Sequence, residues 1–430
     1  MSKSLCSFFL ALFSFSTVIG VSMMDYLALE ELPKTMEEAG FEVVIPLGTG
    51  SSGFGVFSFK PFKWKGIDWK NHLLIIKPAN PRSKNALIFI TGDYKIDAEL
   101  LQVFNTLATQ NGAYVAILFD IPNQPLFNGY REDWLIAYTF VRFLETGDYE
   151  WPLLLPMVRS TITAMNMLID YARKDGFEIE GFILSGASKR GWTTWLTAAC
   201  DSRVKAIAPI AFDNLNIREQ MRHQLEFWGD YSKSIGEYVE TGILNDLDDP
   251  KRIDLLQYID PYSYREKLNI PKLIIVGTND PYWPADAATL YFDGLSGEKG
   301  MVYAPNAGHG AETPRTVQAI GALFANLDEG VSLPKVSAEY STTTSETEVQ
   351  VGISINAGKW NISEVRLFSA SSPIKDFRNA RFDYKILESA EKTTTTLVIK
   401  GYTATYVEVV FQRKGRMVSI STPIRVFAGQ

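Results

Sequence analysis

The 430-residue sequence has only two cysteines and three histidines. Cys6 falls inside an apolar run at the N-terminus, so a mature chain would keep Cys200 alone. No intramolecular disulfide can then staple the fold, which has to rest on its hydrophobic core. Cys200, on an apolar helical stretch, reads as a buried, inert thiol. His72, His223 and His309 stand far apart, with no metal-ligand spacing among them. No metal centre and no cofactor is expected. An excess of positive charge is also missing: 42 basic and 49 acidic residues leave a net charge of −7. That argues against a nucleic-acid partner. There is no block of like charge and no internal repeat.

Only one long apolar run exists, from Leu5 to Gly20, with Lys3 ahead of it and Val18-Ile19-Gly20 at its end. It is short for a bilayer span and reads as a secretory signal peptide covering residues 1–22. The expected product is secreted or otherwise extracytoplasmic, with no stable membrane span after cleavage.

What the chain does have is a compact stretch from 180 to 200. Gly181 to Ser185 reads as a buried strand and Thr193 to Cys200 as a helix. Between them stands Gly186-Ala-Ser-Lys-Arg-Gly191. A glycine two residues before a serine, at a strand-to-helix junction, permits a tight turn that lifts the hydroxyl above the sheet edge. The helix N-terminus there favours the negative charge that acyl transfer develops. Ser188 is therefore the candidate nucleophile. The usual pattern has a second glycine two residues after the serine. Here that position is Arg190, and the glycine follows at Gly191. The plainer alternative is that Ser188 caps the helix.

Strands at 85–90, 113–119, 204–210, 271–277 and 299–304, separated by helical patterns, predict a largely parallel sheet covered on both faces. The glycine-rich stretch 48–55 lacks the lysine and spacing of a phosphate loop and reads as a flexible turn. Further helices are expected at 157–174, 285–292 and 314–327. Residues 126–160 form an aromatic-rich insert that includes Arg131-Glu-Asp-Trp134. The span from about 213 to 268 is helical and amphipathic with no strand, the usual form of a lid over an active site. From 331 to 430 the composition turns to threonine, serine and alternating apolar residues. Six or seven short strands there predict a small all-β sandwich of immunoglobulin type. The expected organisation is a signal peptide (1–22), an α/β-hydrolase domain with a helical lid (23–330) and that β-sandwich (331–430).

Ser188, Asp280 and His309 each follow a strand, so all three converge at the carboxyl edge of the sheet. Their order along the chain, Ser then Asp then His, is that of α/β-hydrolases. His309 would take the Ser188 proton, and Asp280 would hold the imidazole in the right tautomer. Asp213, also after a strand, is a rival acid. The backbone N–H of Lys189 would supply one oxyanion donor and the turn at Gly92 and Asp93 the other. The Lys189 side chain either adds positive charge near the oxyanion or is solvated. Arg190, Trp192 and Tyr94 are expected to shape the substrate pocket. His72 and His223 read as surface or core-edge residues. Asn361-Ile-Ser363 is a glycosylation sequon, relevant only in a eukaryotic secretory route.

Several stretches together resemble the PhoPQ-activated pathogenicity-related proteins, secreted members of the α/β-hydrolase superfamily. They are Ile136-Ala-Tyr-Thr-Phe140, Glu150-Trp-Pro-Leu-Leu-Leu-Pro-Met157, Gly186-Ala-Ser-Lys-Arg-Gly-Trp192, Asp280-Pro-Tyr-Trp283, Tyr291-Phe-Asp-Gly294 and Pro305-Asn-Ala-Gly-His309. The resemblance implies that the displaced Gly191 is a family trait and that Ser188, Asp280 and His309 form the triad. The loop Pro125-Leu-Phe-Asn-Gly-Tyr130 departs from the family pattern. A similar Gly-x-Ser-basic-x-Gly arrangement in glucuronoyl esterases suggests, by analogy, carbohydrate-linked esters. The expected function is that of a secreted serine hydrolase acting on a small-molecule or carbohydrate-linked ester through an acyl-enzyme. The alternative is a secreted signalling or binding protein on the same scaffold, meeting a protein partner through its C-terminal β-region. A peptidase is the third and weakest reading.

Overall fold

The structure, a computed structural model, describes residues 21–46, 53–310, 313–342 and 347–429. The expected signal peptide, apart from residues 21 and 22, lies outside these, as does most of the glycine-rich turn. In chain order the helix α1 (Met23–Ala28) is followed by strands β1 (Glu42–Ile45), β2 (Gly53–Phe59), β3 (Lys63–Trp64), β4 (Ile67–Asp68), β5 (Asn71–Lys77) and β6 (Asn85–Ile90). Helix α2 (Ala98–Asn111), β7 (Val115–Leu118), α3 (Glu132–Thr146), α4 (Leu154–Lys174), β8 (Gly181–Ala187), α5 (Lys189–Cys200) and β9 (Val204–Ile210) come next. The chain then runs through α6 (Ile217–Trp228), α7 (Gly236–Glu240), α8 (Pro250–Ile259), β10 (Lys272–Gly277), β11 (Lys299–Ala304) and α9 (Thr313–Glu329).

The strands β2-β5-β7-β6-β8-β9-β10-β11 lie side by side in that order, and within this set β5 alone runs against the others. Such strands are buried on both faces, so their apolar residues run nearly unbroken. The pleat still sorts them. Phe182 and Leu184 of β8 face the core beneath α4, α5 and the helical excursion, while Ile183 faces the opposite core with α2 and α9. The same alternation sets Ile274 and Val276 against Leu273 and Ile275 in β10. Because the central strands are parallel, their carboxyl ends share one edge, and the loops leaving them meet there.

The excursion between β9 and β10 has helices and no strand: α6, α7, α8 and 3₁₀ stretches at Lys233–Ile235 and Pro261–Lys267. The helix expected over 285–292 is instead a single 3₁₀ turn, Ala287–Leu290, whose apolar residues Ala287 and Ala288 are drawn, with Tyr291, into the main core. Among the described residues no helix is long and apolar enough to cross a membrane.

From residue 335 the regular elements among the described residues are all strands: β12 (Lys335–Thr342), β13 (Glu348–Asn356), β14 (Asn361–Ser372), β15 (Asp383–Leu387), β16 (Lys392–Val398), β17 (Tyr402–Arg413), β18 (Arg416–Ser421) and β19 (Arg425–Ala428). A three-stranded sheet, β12-β13-β16, packs its alternate apolar residues (Val349, Val351, Ile353) against β14 and β17 (Val365, Leu367, Val407, Val409). The second sheet is continuous with the first, since β18 pairs with β11 at Met301 and Ser421. The junction is also polar at one point. Glu408, with no exposed surface, is held by Arg315 of α9 and Arg366 of β14. A buried charge is tolerable only when paired in this way.

Candidate active site

Ser188 stands alone between β8 and α5 with φ 58° and ψ −125°. A side-chain-bearing residue in this region is strained and persists only where its surroundings hold it. Two glycines make the turn possible. A Cβ on Gly186 would lie 2.9 Å from the carbonyl oxygens of Arg190 and Ile90. A Cβ on Gly191 would lie 2.7 Å from the Ile210 oxygen and 3.1 Å from the Gly186 oxygen. Gly191 is thus the residue where α5 presses on β9, which accounts for a glycine one position later than in the usual pattern. The turn is pinned by Ser188 N–H donating to the Ile210 carbonyl (2.8 Å) and Trp192 N–H donating to the Ser188 carbonyl (3.0 Å).

Asp280 leaves the end of β10 and His309 the end of β11. The loops are laced together: Asn279 N–H donates to the Ala307 carbonyl (2.9 Å), and Asn306 N–H to Thr278 Oγ1 (2.8 Å). His309 Nε2 lies 2.9 Å from Ser188 Oγ. His309 Nδ1 lies 2.9 Å and 3.1 Å from the two oxygens of Asp280. With an ionised carboxylate as acceptor, Nδ1 carries the proton and Nε2 accepts from the serine hydroxyl. Asp280 also accepts the Tyr282 N–H at 2.9 Å, and the Tyr282 ring stacks on the imidazole with centroids 4.0 Å apart.

Asp213 does not meet the histidine. Its carboxylate takes the Tyr291 hydroxyl in a short hydrogen bond. Burial pushes its pKa up to about 7; the Tyr291 hydrogen bond opposes this, and the charges of Asp280 and Asp286 add to the rise. His72 pairs with Asp120 (2.7 Å) and His223 with Asp286 (2.8 Å), both away from Ser188.

The polar surroundings of the turn centre on a residue the sequence reading passed over. Glu132, at φ 49° in the first turn of α3, receives both Arg190 guanidinium nitrogens at 2.8 Å and Lys189 Nζ at 2.8 Å. Burial would raise its pKa, but Arg190 and Lys189 hold the carboxyl well below the usual range. Lys189 also reaches Asp133 at 3.2 Å, and its side chain is 7% exposed, so it is neither solvated nor unpaired. The available signal was the acid pair of Arg131-Glu-Asp-Trp134 opposite the two basic residues after the serine. Charge complementarity between segments that far apart cannot be assigned until the fold brings them together.

Gly92 lies under the Arg190 guanidinium, with a Cβ there 2.7 Å from Nη2. Asp93 accepts from Gln124 at 2.9 Å and pairs with Arg131. The Tyr94 N–H is taken by Asp120 Oδ1 at 3.0 Å. In the turn after β6 the Tyr94 amide is therefore committed to Asp120. On the other side, Lys189 N–H belongs to the first turn of α5, where backbone donors have no helical acceptor.

Ser188 opens into a cavity between the sheet edge and the helical excursion. Its walls are apolar and aromatic, including Phe140, Trp192, Phe212 and Trp283. The helical excursion supplies Ile217, Met221, Tyr238, Leu244, Leu256 and Ile259. Of the three side chains expected in the pocket, Trp192 lines it, its indole N–H fixed on the Ile259 carbonyl at 2.7 Å. Arg190 and Tyr94 are not among the lining residues. Arg190 is turned toward Glu132 and the Ile121 carbonyl, and Tyr94 stacks on His72 with centroids 4.2 Å apart.

The strand order, the strained serine between β8 and α5, and Ser, Asp and His following β8, β10 and β11 define an α/β-hydrolase fold. The chain belongs to the PhoPQ-activated pathogenicity-related protein family, whose model matches residues 49–378. It is 32% identical over 253 residues to the autocrine proliferation repressor protein A of Dictyostelium discoideum. That match covers 56% of this chain and spans about half of the relative's length (51%). Among solved structures, it is similar to acetyl xylan esterase 1 from Thermoanaerobacterium sp. (14% identity, 70% of this chain and 91% of that one, TM-score 0.49). An S-formylglutathione hydrolase from Agrobacterium tumefaciens is similar at 13% identity, over 67% of this chain and 96% of that one, with a TM-score of 0.41.

Proposed function

We propose that this protein is a secreted serine hydrolase that cleaves an ester through an acyl-enzyme. The observation that carries the proposal is the unbroken series Ser188 Oγ–His309 Nε2 (2.9 Å) and His309 Nδ1–Asp280 (2.9 Å). Ser188 Oγ attacks the acyl carbonyl while His309 takes its proton. Asp280 holds the tautomer and stabilises the imidazolium. The N–H of Lys189 and those of the Gly92–Asp93 turn receive the oxyanion. His309 then protonates the leaving alcohol, and a water activated by the same imidazole releases the acid. The apolar cavity beside Ser188 receives the acyl group, with the helical excursion as its lid. An acyl ester borne on a small molecule or on a carbohydrate is the substrate class tested first.

Export through residues 1–22, an immunoglobulin-type form for the C-terminal strands and partner contact through them are parts of the same proposal. Treatment of purified mature protein with a fluorophosphonate probe tests it. Labelling of the wild type is expected to vanish in Ser188→Ala and to weaken strongly in His309→Ala. Equal labelling of wild type and Ser188→Ala would reject it.

A second reading is favoured by the relative named an autocrine proliferation repressor: a secreted signal carried on this scaffold. Adding Ser188→Ala protein to growing cells of the source organism separates the two. A growth effect equal to that of wild type favours signalling without hydrolysis.

A further inference from the structure

The loop 373–382, between β14 and β15, leaves the C-terminal strands and lies directly on the two loops that carry Asp280 and His309. Asn279, next to Asp280, donates its side-chain amide to the carbonyls of Phe377 (2.8 Å) and Ala380 (2.7 Å), with Arg378 at 3.3 Å. Asn306, three residues before His309, makes a reciprocal pair with Phe382: Nδ2 donates to its carbonyl at 3.0 Å and Oδ1 accepts its N–H at 2.7 Å. Phe377 and Phe382 are each 2% exposed and join the core that also holds Phe212 and Trp283 of the cavity wall. From its other side the loop grips the excursion helix α6. The Arg378 guanidinium lies 4.4 Å from the Trp228 ring centre, and Lys375 lies 5.9 Å from that of Phe227. Nothing else among these contacts requires asparagine at both 279 and 306. Asn306 spends its whole amide on backbone groups of that loop, and Asn279 its Nδ2, while the Asn279 Oδ1 accepts from the Thr278 hydroxyl at 2.8 Å.

We infer that the 373–382 loop is a working part of the site: through Asn279 and Asn306 it sets the register of the Asp280 and His309 loops, and these two asparagines are positioning residues. This rests on the serine-hydrolase reading above. A hydrogen-bonded imidazole tolerates little displacement, because reacting atoms misplaced by about 1 Å lose roughly a hundredfold in rate. A donor at Asn279 meets three carbonyls that alanine would leave without it. Asn306 has φ 60°, so glycine there keeps the backbone and removes only the clamp.

The test uses the full-length protein with Asn279→Ala and Asn306→Gly, measured below their melting temperatures. Two quantities are read: the inactivation constants kinact and KI for a small fluorophosphonate, and the far-downfield proton resonance of His309 Nδ1–H, assigned by its loss in His309→Ala. The expected result is a ten- to hundredfold fall in kinact with KI within about twofold, together with loss or broadening of that resonance. If Asn279→Ala fails to fold, Asn306→Gly carries the test alone. Wild-type kinact and an intact resonance in the variants overturn the inference. The resonance needs no turnover, so it also separates the two readings. An unlabelled wild type whose resonance is lost in the variants rejects the hydrolase and retains the positioning role.

Discussion

Gly277 and Gly308 approach so closely that a Cβ on Gly277 would lie 2.1 Å from the Gly308 carbonyl oxygen and 2.4 Å from that of Ala307. The last residue of β10 therefore lets the His309 loop fold over the strand that leads to Asp280. Gly277→Ala must push the loop away, since both obstacles are backbone. Labelling by a fluorophosphonate should drop by about a hundredfold, with a stability loss of about 1–3 kcal/mol from the steric conflict. Chemical denaturation and labelling rates on the same preparation check both parts. Wild-type labelling in this variant would mean that the loop does not need its present position.

The two acids after strands separate by substitution. Asp280→Asn leaves the geometry but favours the wrong tautomer of His309. The expected fall in ester turnover is on the order of 10⁴-fold. Asp213→Asn keeps an acceptor for the Tyr291 hydroxyl and should retain turnover within about threefold of wild type, because Asp213 does not touch His309. The reverse ranking would make Asp213 the functional acid.

Asp213 also predicts a pH dependence of stability. Burial first, opposed by Tyr291 and aided by Asp280 and Asp286, raises its pKa from the ordinary 3.8 to about 7. Between roughly pH 4 and 7 the unfolded chain has released this proton while the folded chain retains it. The contribution to stability therefore falls as pH rises through that window and levels off above it. Asp213→Asn should remove this decline and be more stable than wild type above pH 7, by a few kcal/mol at most. Melting temperatures of both proteins at pH 4, 5, 6, 7 and 8 measure it. Parallel curves would show that Asp213 is ionised in the fold.

Glu132 joins the residues after the serine to the helix α3. Glu132→Gln cannot neutralise Lys189 and Arg190 together, so the buried Lys189 is left with Asp133 alone and Arg190 loses its carboxylate partner. A loss of about 1–3 kcal/mol in stability is expected. Turnover should fall about tenfold as the Gly92 and Ser188 turns lose their common anchor. Steady-state kinetics decide the point, and a fall in kcat with KM little changed is the expected signature.

On the proposed hydrolase mechanism, the cavity wall contributed by α6 limits the size of the acyl group. Met221, 2% exposed, lines the cavity from the excursion side. Met221→Ala should cost about 2–5 kcal/mol of stability and raise the ratio of hexanoyl to acetyl ester turnover several-fold. An unchanged ratio would place the acyl group elsewhere.

Much of the architecture follows from local pattern. The buried parallel strands announce themselves as short apolar runs bounded by turns, and their order with the helices implies a sheet covered on both faces. Ser188, Asp280 and His309 could be chosen because each follows such a strand, and parallel strands deliver their loops to one edge. The helical character of 213–268 and the all-β character from 335 are likewise composition and periodicity read over a few residues.

What the chain alone left undecided depends on contacts between distant segments. Two acids followed strands, and only the relative placement of β9, β10 and β11 put Asp280 at 2.9 Å from the imidazole and turned Asp213 to Tyr291. Lys189 read as a charge near the oxyanion or a solvated side chain, and Arg190 as a pocket residue, until Glu132, some 57 positions earlier in numbering, came to lie against them. The helix expected at 285–292 failed for the same reason: its apolar residues are spent on tertiary packing, not on a regular helical face. The loop 373–382 carries no chemistry that a sequence pattern would flag. Its asparagine-bound carbonyls matter only because the C-terminal strands fold back onto the sheet edge where Asp280 and His309 sit. Local spacing fixes which elements form and which residues end them, while the pairing of charges and backbone groups across the fold is decided by tertiary packing alone.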